Sequence, residues 1–152
     1  MTYLLDTEVL LRLFDPSDPS FPAIRDVIKR LQKQPHRPVI TAQNLSEFWN
    51  VTTRPSSARG GYGVPLHLAA RRSAFLQSVC DLRFPNSHSL REWNELIVRY
   101  QVRGVQVHDA QLVAIMLSNK ISTIVTLNMA DFARYQEIVA ITPMDLLAAW
   151  PS

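Results

Sequence analysis

The chain has 152 residues, 47% of them hydrophobic and 19% charged, the size and balance of one globular domain with a single core. Its net charge of +3 is too small an excess to demand a polyanionic partner, and its lone cysteine, Cys80, excludes an intramolecular disulfide. No basic leader with an apolar run opens the sequence and no apolar stretch approaches transmembrane length, so a cytoplasmic protein without membrane contact is expected.

The first element is a short apolar strand over 2–5 that ends at Asp6. A helix follows, with Val9, Leu10, Leu13 and Phe14 at helical spacing. Three prolines make 15–22 a loop. Ile24, Val27, Ile28 and Leu31 form the stripe of an amphipathic helix over 23–34, which Pro35 and Pro38 end. A strand over 38–42 and a helix over 45–53 come next. Residues 54–65, rich in Gly, Ser and Pro, are the one long loop, and a helix over 66–79 resumes after Pro65. Cys80 opens a short strand over 80–84 and reads as a buried structural thiol. Ser89 is placed to cap a helix over 90–102, and Gly104 to terminate it. The helix over 109–118 is apolar on nearly all sides, with Asn119 suited to its last turn. Strands over 122–127 and 138–141 follow, and Thr142, Pro143 and Asp145 suit the start of a final helix. Apolar strands that alternate with helices, with no hairpin signal, predict a three-layer α/β/α fold around a central, mainly parallel sheet.

Thirteen residues are acidic, and four of them abut apolar segments. Asp6 follows the first strand, where an open parallel sheet gathers its ligands. Taken alone it reads first as a helix cap. Glu47 stands three residues after Asn44, the spacing of a capping box with Asn44 at its head. Asp109 is the only acid in a mostly apolar run from Val105 to Leu117. A cap is again the simple reading, but a carboxylate buried there without a donor or cation is costly. Asp131 follows the strongest strand, after Thr126 and Asn128, and a turn explains it equally well. Together the four suggest more, because carboxylates gathered at one sheet edge repel unless a cation lies among them. Oxygen ligands without Cys or clustered His select Mg²⁺ or Mn²⁺. Such a cluster can bind a phosphodiester, activate water and stabilise a leaving oxygen.

The segments "YLLDTEVLL", "LSEFWN", "VHDAQLVAIM" and "TLNMADF" resemble, in order and separation, the four acidic motifs of PIN-domain proteins. The nearest likeness is to VapC-type toxin ribonucleases of toxin–antitoxin pairs. The resemblance implies one PIN-like domain over 1–152 and a Mg²⁺- or Mn²⁺-dependent endoribonuclease acting on single-stranded RNA. It further implies a homodimer and a cognate antitoxin. By position Asp6, Glu47 and Asp109 match the core acids, Thr7 a small polar residue after the first of them, Thr126 a hydroxyl near the metals and Asp131 a fourth acid. Asn128 stands where some members place an Asp, so either Asn128 or Asp131 completes the metal site.

Arg25, Lys29 and Lys33 share one helical face, with His36 and Arg37 after them, and read as a solvated stripe. Arg54, Arg59 and Tyr62 in the glycine-rich loop are the better candidates for gripping RNA phosphates or stacking a base. Trp49 is a candidate antitoxin contact, although core packing is the commoner fate of such a residue. Two other readings stay open: a PIN scaffold that binds RNA or protein without cutting, and a Mg²⁺-dependent phosphohydrolase using Asp6. A dinucleotide-binding fold is excluded, since no Gly-x-Gly-x-x-Gly follows the first strand.

Overall fold

A computed structural model describes residues 1–33, 35 and 37–150. Among these, strands β1 (Tyr3–Leu5), β2 (Val39–Thr41), β3 (Asp81–Arg83), β4 (Thr123–Val125) and β5 (Val139–Ile141) form a sheet ordered β3-β2-β1-β4-β5. Every pairing is parallel, so the expected mainly parallel sheet is parallel throughout. The helices are α1 (Thr7–Arg12), α2 (Phe21–Gln32), α3 (Ala42–Thr53), α4 (Leu66–Val79), α5 (Ser89–Arg99), α6 (Val107–Ser118) and α7 (Pro143–Ala149).

Strand alternation divides the core into two layers. Leu5, Ile40 and Val125 point to one face, where they join Val9, Leu10, Ile24, Val27, Phe48, Leu76 and Leu146 from α1, α2, α3, α4 and α7. Leu4, Val39 and Ile124 point to the other, against Leu96 of α5 and the apolar flank of α6. Helices on both faces of a parallel sheet give the expected three layers. The α6 helix is buried along Ala110, Leu112, Val113, Ala114, Ile115 and Met116, as its composition predicts. Cys80 is buried against the first layer, and burial pushes its thiol up to about 12.

Several boundaries move for identifiable reasons. α2 starts earlier than expected, at Phe21, because Pro22 is accommodated in its first turn. Gln34, the expected end of that helix, and His36 lie outside the described residues. α3 starts at Ala42, not Leu45. Its N-cap is Thr41, whose hydroxyl accepts the Asn44 N–H at 3.1 Å, while the Asn44 carboxamide accepts the Thr41 N–H at 2.9 Å. Asn44 therefore closes the capping box as its third residue, and Glu47 takes no part in it. Ser89 is not a cap either. His88 precedes α5 without a side-chain cap, and the Ser89 hydroxyl accepts the Asn86 N–H and meets the Ser118 hydroxyl at 2.6 Å.

Gly104 does not terminate α5. Gln101, at φ 51°, turns the chain into the left-handed region, and the N–H groups of Gln101 and Val102 return to the carbonyls of Val98 and Ile97. This is a Schellman closure with glutamine in the usual glycine place. The start of α7 is as expected: Thr142 caps it, accepting the Asp145 N–H at 3.1 Å and donating to the Asp145 carboxylate at 2.7 Å.

Candidate functional site

In the order β3-β2-β1-β4-β5 the chain builds outward from β1 in one direction, then crosses to β4 and builds in the other. The crossover crevice lies between β1 and β4, where opposed connections leave room beyond the carboxyl ends of the strands. Asp6 and Thr126 are the next residues of those two strands. The pairing continues into them, with the Asp6 N–H on the Val125 carbonyl at 3.0 Å and the Thr126 N–H on the Ile141 carbonyl at 3.0 Å. Backbone geometry thus brings the Thr126 hydroxyl to donate to Asp6 Oδ2 at 2.7 Å. Asp6 Oδ1 accepts the Thr7 N–H at 2.8 Å. Asp6 is therefore also the N-cap of α1, as its simple reading expects, and its carboxylate faces the crevice as well.

The three other acids singled out in the sequence face the same crevice. Glu47 comes from the second turn of α3, Asp109 from the first turn of α6, and Asp131 from a 3₁₀ turn over Met129–Asp131. Asp109 is not the cap of its helix, a place taken by Gln106, and its carboxylate receives no hydrogen bond from the described residues. Asp131 Oδ2 accepts from the Asn128 carboxamide at 2.7 Å, and the Asn128 N–H donates to the Thr126 hydroxyl at 3.0 Å. The cleft encloses about 340 Å³ and is lined by Asp6, Thr7, Glu8, Glu47, Asn50, Val51, Arg54, Asp109, Asn128 and Asp131. Glu8, Asn50 and Val51 carried no signal in the sequence. Asn50 and Val51 lie one turn beyond Glu47 on α3, and Glu8 directly follows Asp6 and Thr7 at the start of α1.

The acids feel one another. Burial pushes the Asp109 carboxyl up to about 6, helped by the charges of Asp131, Asp6 and Glu47. Burial also pushes Asp6 up to about 6, against the bonds from Thr126 and Thr7 and with the Glu47 charge adding to it. Among the described residues no three acidic, histidine or cysteine side chains already converge on one point as a finished cation site. The donor set is nevertheless all oxygen, partly desolvated and mutually repulsive, a chemistry that fits a hard divalent cation.

Glu47 is held from two sides. Its Oε2 accepts from the Thr7 hydroxyl at 2.8 Å and its Oε1 from Gln43 Nε2 at 3.1 Å. Sequence reasoning missed Gln43 and gave Asn44 only a capping role, because the "QN" pair looks like the polar start of any helix. Of the loop residues, Arg54 reaches the cleft, and its guanidinium also donates to the Arg59 carbonyl at 3.1 Å. Arg59 is exposed and stands off the cleft. Tyr62 is half-buried against the core, and its hydroxyl accepts from Arg12, which also pairs with Glu8 at 3.2 Å and Asp18 at 3.1 Å. Trp49 is not a core residue. It stays 37% exposed while its neighbour Phe48 fills the core position. Arg25, Lys29 and Lys33 are exposed along α2, the solvated stripe expected of them. No helix among the described residues is long and apolar enough to cross a membrane.

Known structures share this architecture. VapBC2 from Rickettsia felis, bound to a DNA fragment from its promoter, superposes with a TM-score of 0.72 at 14% identity, covering 93% of this chain and 98% of that one. VapBC-1 from nontypeable Haemophilus influenzae gives 0.69 at 17%, covering 95% and 99%. VapC20 from Mycobacterium tuberculosis, a sarcin–ricin-loop-cleaving toxin, gives 0.63 at 17%, covering 88% and 95%. No curated protein sequence matches significantly. The PIN domain family model matches residues 3–138, a span that runs from β1 through all four acids, and the chain belongs to the PIN-domain family.

Proposed function

We propose that this chain, acting as one PIN-like domain over 1–152, is a Mg²⁺- or Mn²⁺-dependent endoribonuclease that cuts single-stranded RNA. PIN domains are typically nucleases and generally use divalent ions. The observation that carries the reading is the gathering of Asp6, Glu47, Asp109 and Asp131 in one crevice at the β1/β4 switch point. Asp6, Glu47, Asp109 and Asp131, with Asn128 beside them, are the residues that would hold the cation. When bound, it supplies Lewis-acid activation of water and charge stabilisation at the phosphate. Thr126 fixes the Asp6 carboxylate, whichever carboxylate the cation does not fully engage can take a proton, and Arg54 at the cleft is placed to bind a substrate phosphate. Arg59, exposed on the same loop, is a further candidate for an RNA phosphate, while Tyr62, packed against the core and bonded to Arg12, braces that loop rather than stacking a base.

The toxin–antitoxin neighbours support a further step, a toxin checked by a cognate antitoxin; that it works in the cytoplasm as a homodimer without membrane contact is what the resemblance of its motifs implies. RNA cleavage by the similarly folded VapC20 supports RNA over a small phosphoester as substrate.

The test is cleavage of single-stranded RNA by purified protein with Mg²⁺ or Mn²⁺, with and without EDTA, beside Asp6→Asn. Native protein should cut only with the ion, and Asp6→Asn should lose at least about a hundredfold. Equal cutting by native and variant sinks the assignment. RNA binding without cutting favours a scaffold, and phosphate release from a small monoester favours a phosphohydrolase.

A further inference from the structure

We propose that Asn44, a residue outside the cleft, is a positioning residue that sets the direction of the Thr7 hydroxyl and through it holds Glu47 ready for a cation. The inference rests on the cation-dependent reading above and concerns how this chain prepares one ligand. Asn44 is fully buried. Its Oδ1 lies 2.9 Å from the Thr41 backbone nitrogen, which can only donate, so the amide has one possible orientation. The Nδ2 end must then face Thr7 Oγ1, at 3.2 Å.

Thr7, itself 6% exposed, receives that N–H and has a single proton to give. Glu47 Oε2, at 2.8 Å, takes it. Each group in the series from Thr41 through Asn44 and Thr7 to Glu47 therefore points one way. The other Glu47 oxygen is treated alike. Gln43 Nε2 lies 2.9 Å from the His108 carbonyl, an acceptor only, so its amide orientation is also settled and its remaining proton falls on Glu47 Oε1. The cost is visible, since Gln43 Oε1 is left buried with no partner among the described residues. Held at both oxygens, each with a lone pair still open, Glu47 has little freedom to lose when a cation arrives. Helix capping accounts for the bonds between Asn44 and Thr41 but not for the amide aimed at Thr7. That bond is what the positioning role explains.

The test is a calorimetric Mn²⁺ titration of the full, EDTA-dialysed chain, with circular dichroism melts as the fold control. Thr7→Val, which keeps the shape and removes the hydroxyl, should weaken Mn²⁺ binding about tenfold, and Thr7→Ser should restore it. Asn44→Asp keeps the acceptor facing Thr41 and replaces the donor facing Thr7. It should weaken Mn²⁺ binding about tenfold alone and add nothing in the Thr7→Val background. If Asn44→Asp fails to fold, Asn44→Ala is put through the same cycle. Native-like Mn²⁺ affinity in Thr7→Val, or an equal loss from the Asn44 change in both backgrounds, overturns the inference. A native chain that binds no Mn²⁺ overturns the metal reading, and this inference with it.

Discussion

At the residue scale, the Asp6 carboxyl is held up to about 6, against an ordinary value near 3.8, first because it is buried. A carboxyl raised in the folded state favours folding when protonated. Its contribution is complete below pH 3.8 and is lost as pH climbs through about 6. Without added metal, Asp6→Asn should therefore be more stable than native at pH 7.5, by roughly 2–3 kcal/mol, with the two converging near pH 4. Urea melts in EDTA at both pH values check this, and a constant difference across pH would refute it. Mn²⁺ should raise the melting temperature of native protein at pH 7.5 and do so much less at pH 5, where Asp6 and Asp109 gain protons. Cys80 offers a second check. Its thiol, pushed up to about 12, should ignore a thiol reagent at pH 8 until urea unfolds the chain.

At the element scale, local closures decide where residues point. Gln101 occupies the left-handed position that ends α5. Since only glycine takes that conformation without penalty, Gln101→Gly should stabilise the protein by about 0.5–1 kcal/mol in a urea melt. The loop carrying Arg54 closes on itself, with the Gly63 N–H on the Arg54 carbonyl at 2.8 Å and the Tyr62 N–H on the Val51 carbonyl at 3.0 Å. Gly61 sits so near the Arg54 and Pro55 carbonyls that a Cβ there would collide with both. Gly61→Ala should cost on the order of 1–3 kcal/mol and weaken RNA binding by moving Arg54 off the cleft, measured by melts and by filter binding.

Elements were legible where one signal ruled: β2 and β4 are β-branched and buried at every position, and α4 spans the residues its pattern predicts. They were less legible where two signals competed. At "TAQNLSE" the conventional glutamate spacing pointed to Asn44 as cap. The actual box uses Thr41 and an asparagine in the glutamate's place, which frees Glu47 for the cleft. The four acids were readable because a carboxylate against apolar sequence is conspicuous. Gln43 and Asn44 were not, because their importance lies in hydrogen-bond direction, and direction exists only once α3 is placed against α1.

At the scale of the whole molecule, the cleft is built by topology. Its parts come from α1, α3, α6 and the turn after β4, and only the reversal of strand order between β1 and β4 puts them together. The Thr126–Asp6 hydrogen bond joins residues 120 positions apart. β4 is also the neighbour of β1 in the middle of the sheet. A growing chain that has left the ribosome only as far as α6 thus has no strand on that side of β1, no Thr126 and no Asp131. The first motif is made early and waits for the last. For a chain proposed to cut RNA, the consequence is one of timing: the cleft cannot be completed, and cutting cannot begin, until Thr126 and Asp131 have been made and have left the ribosome.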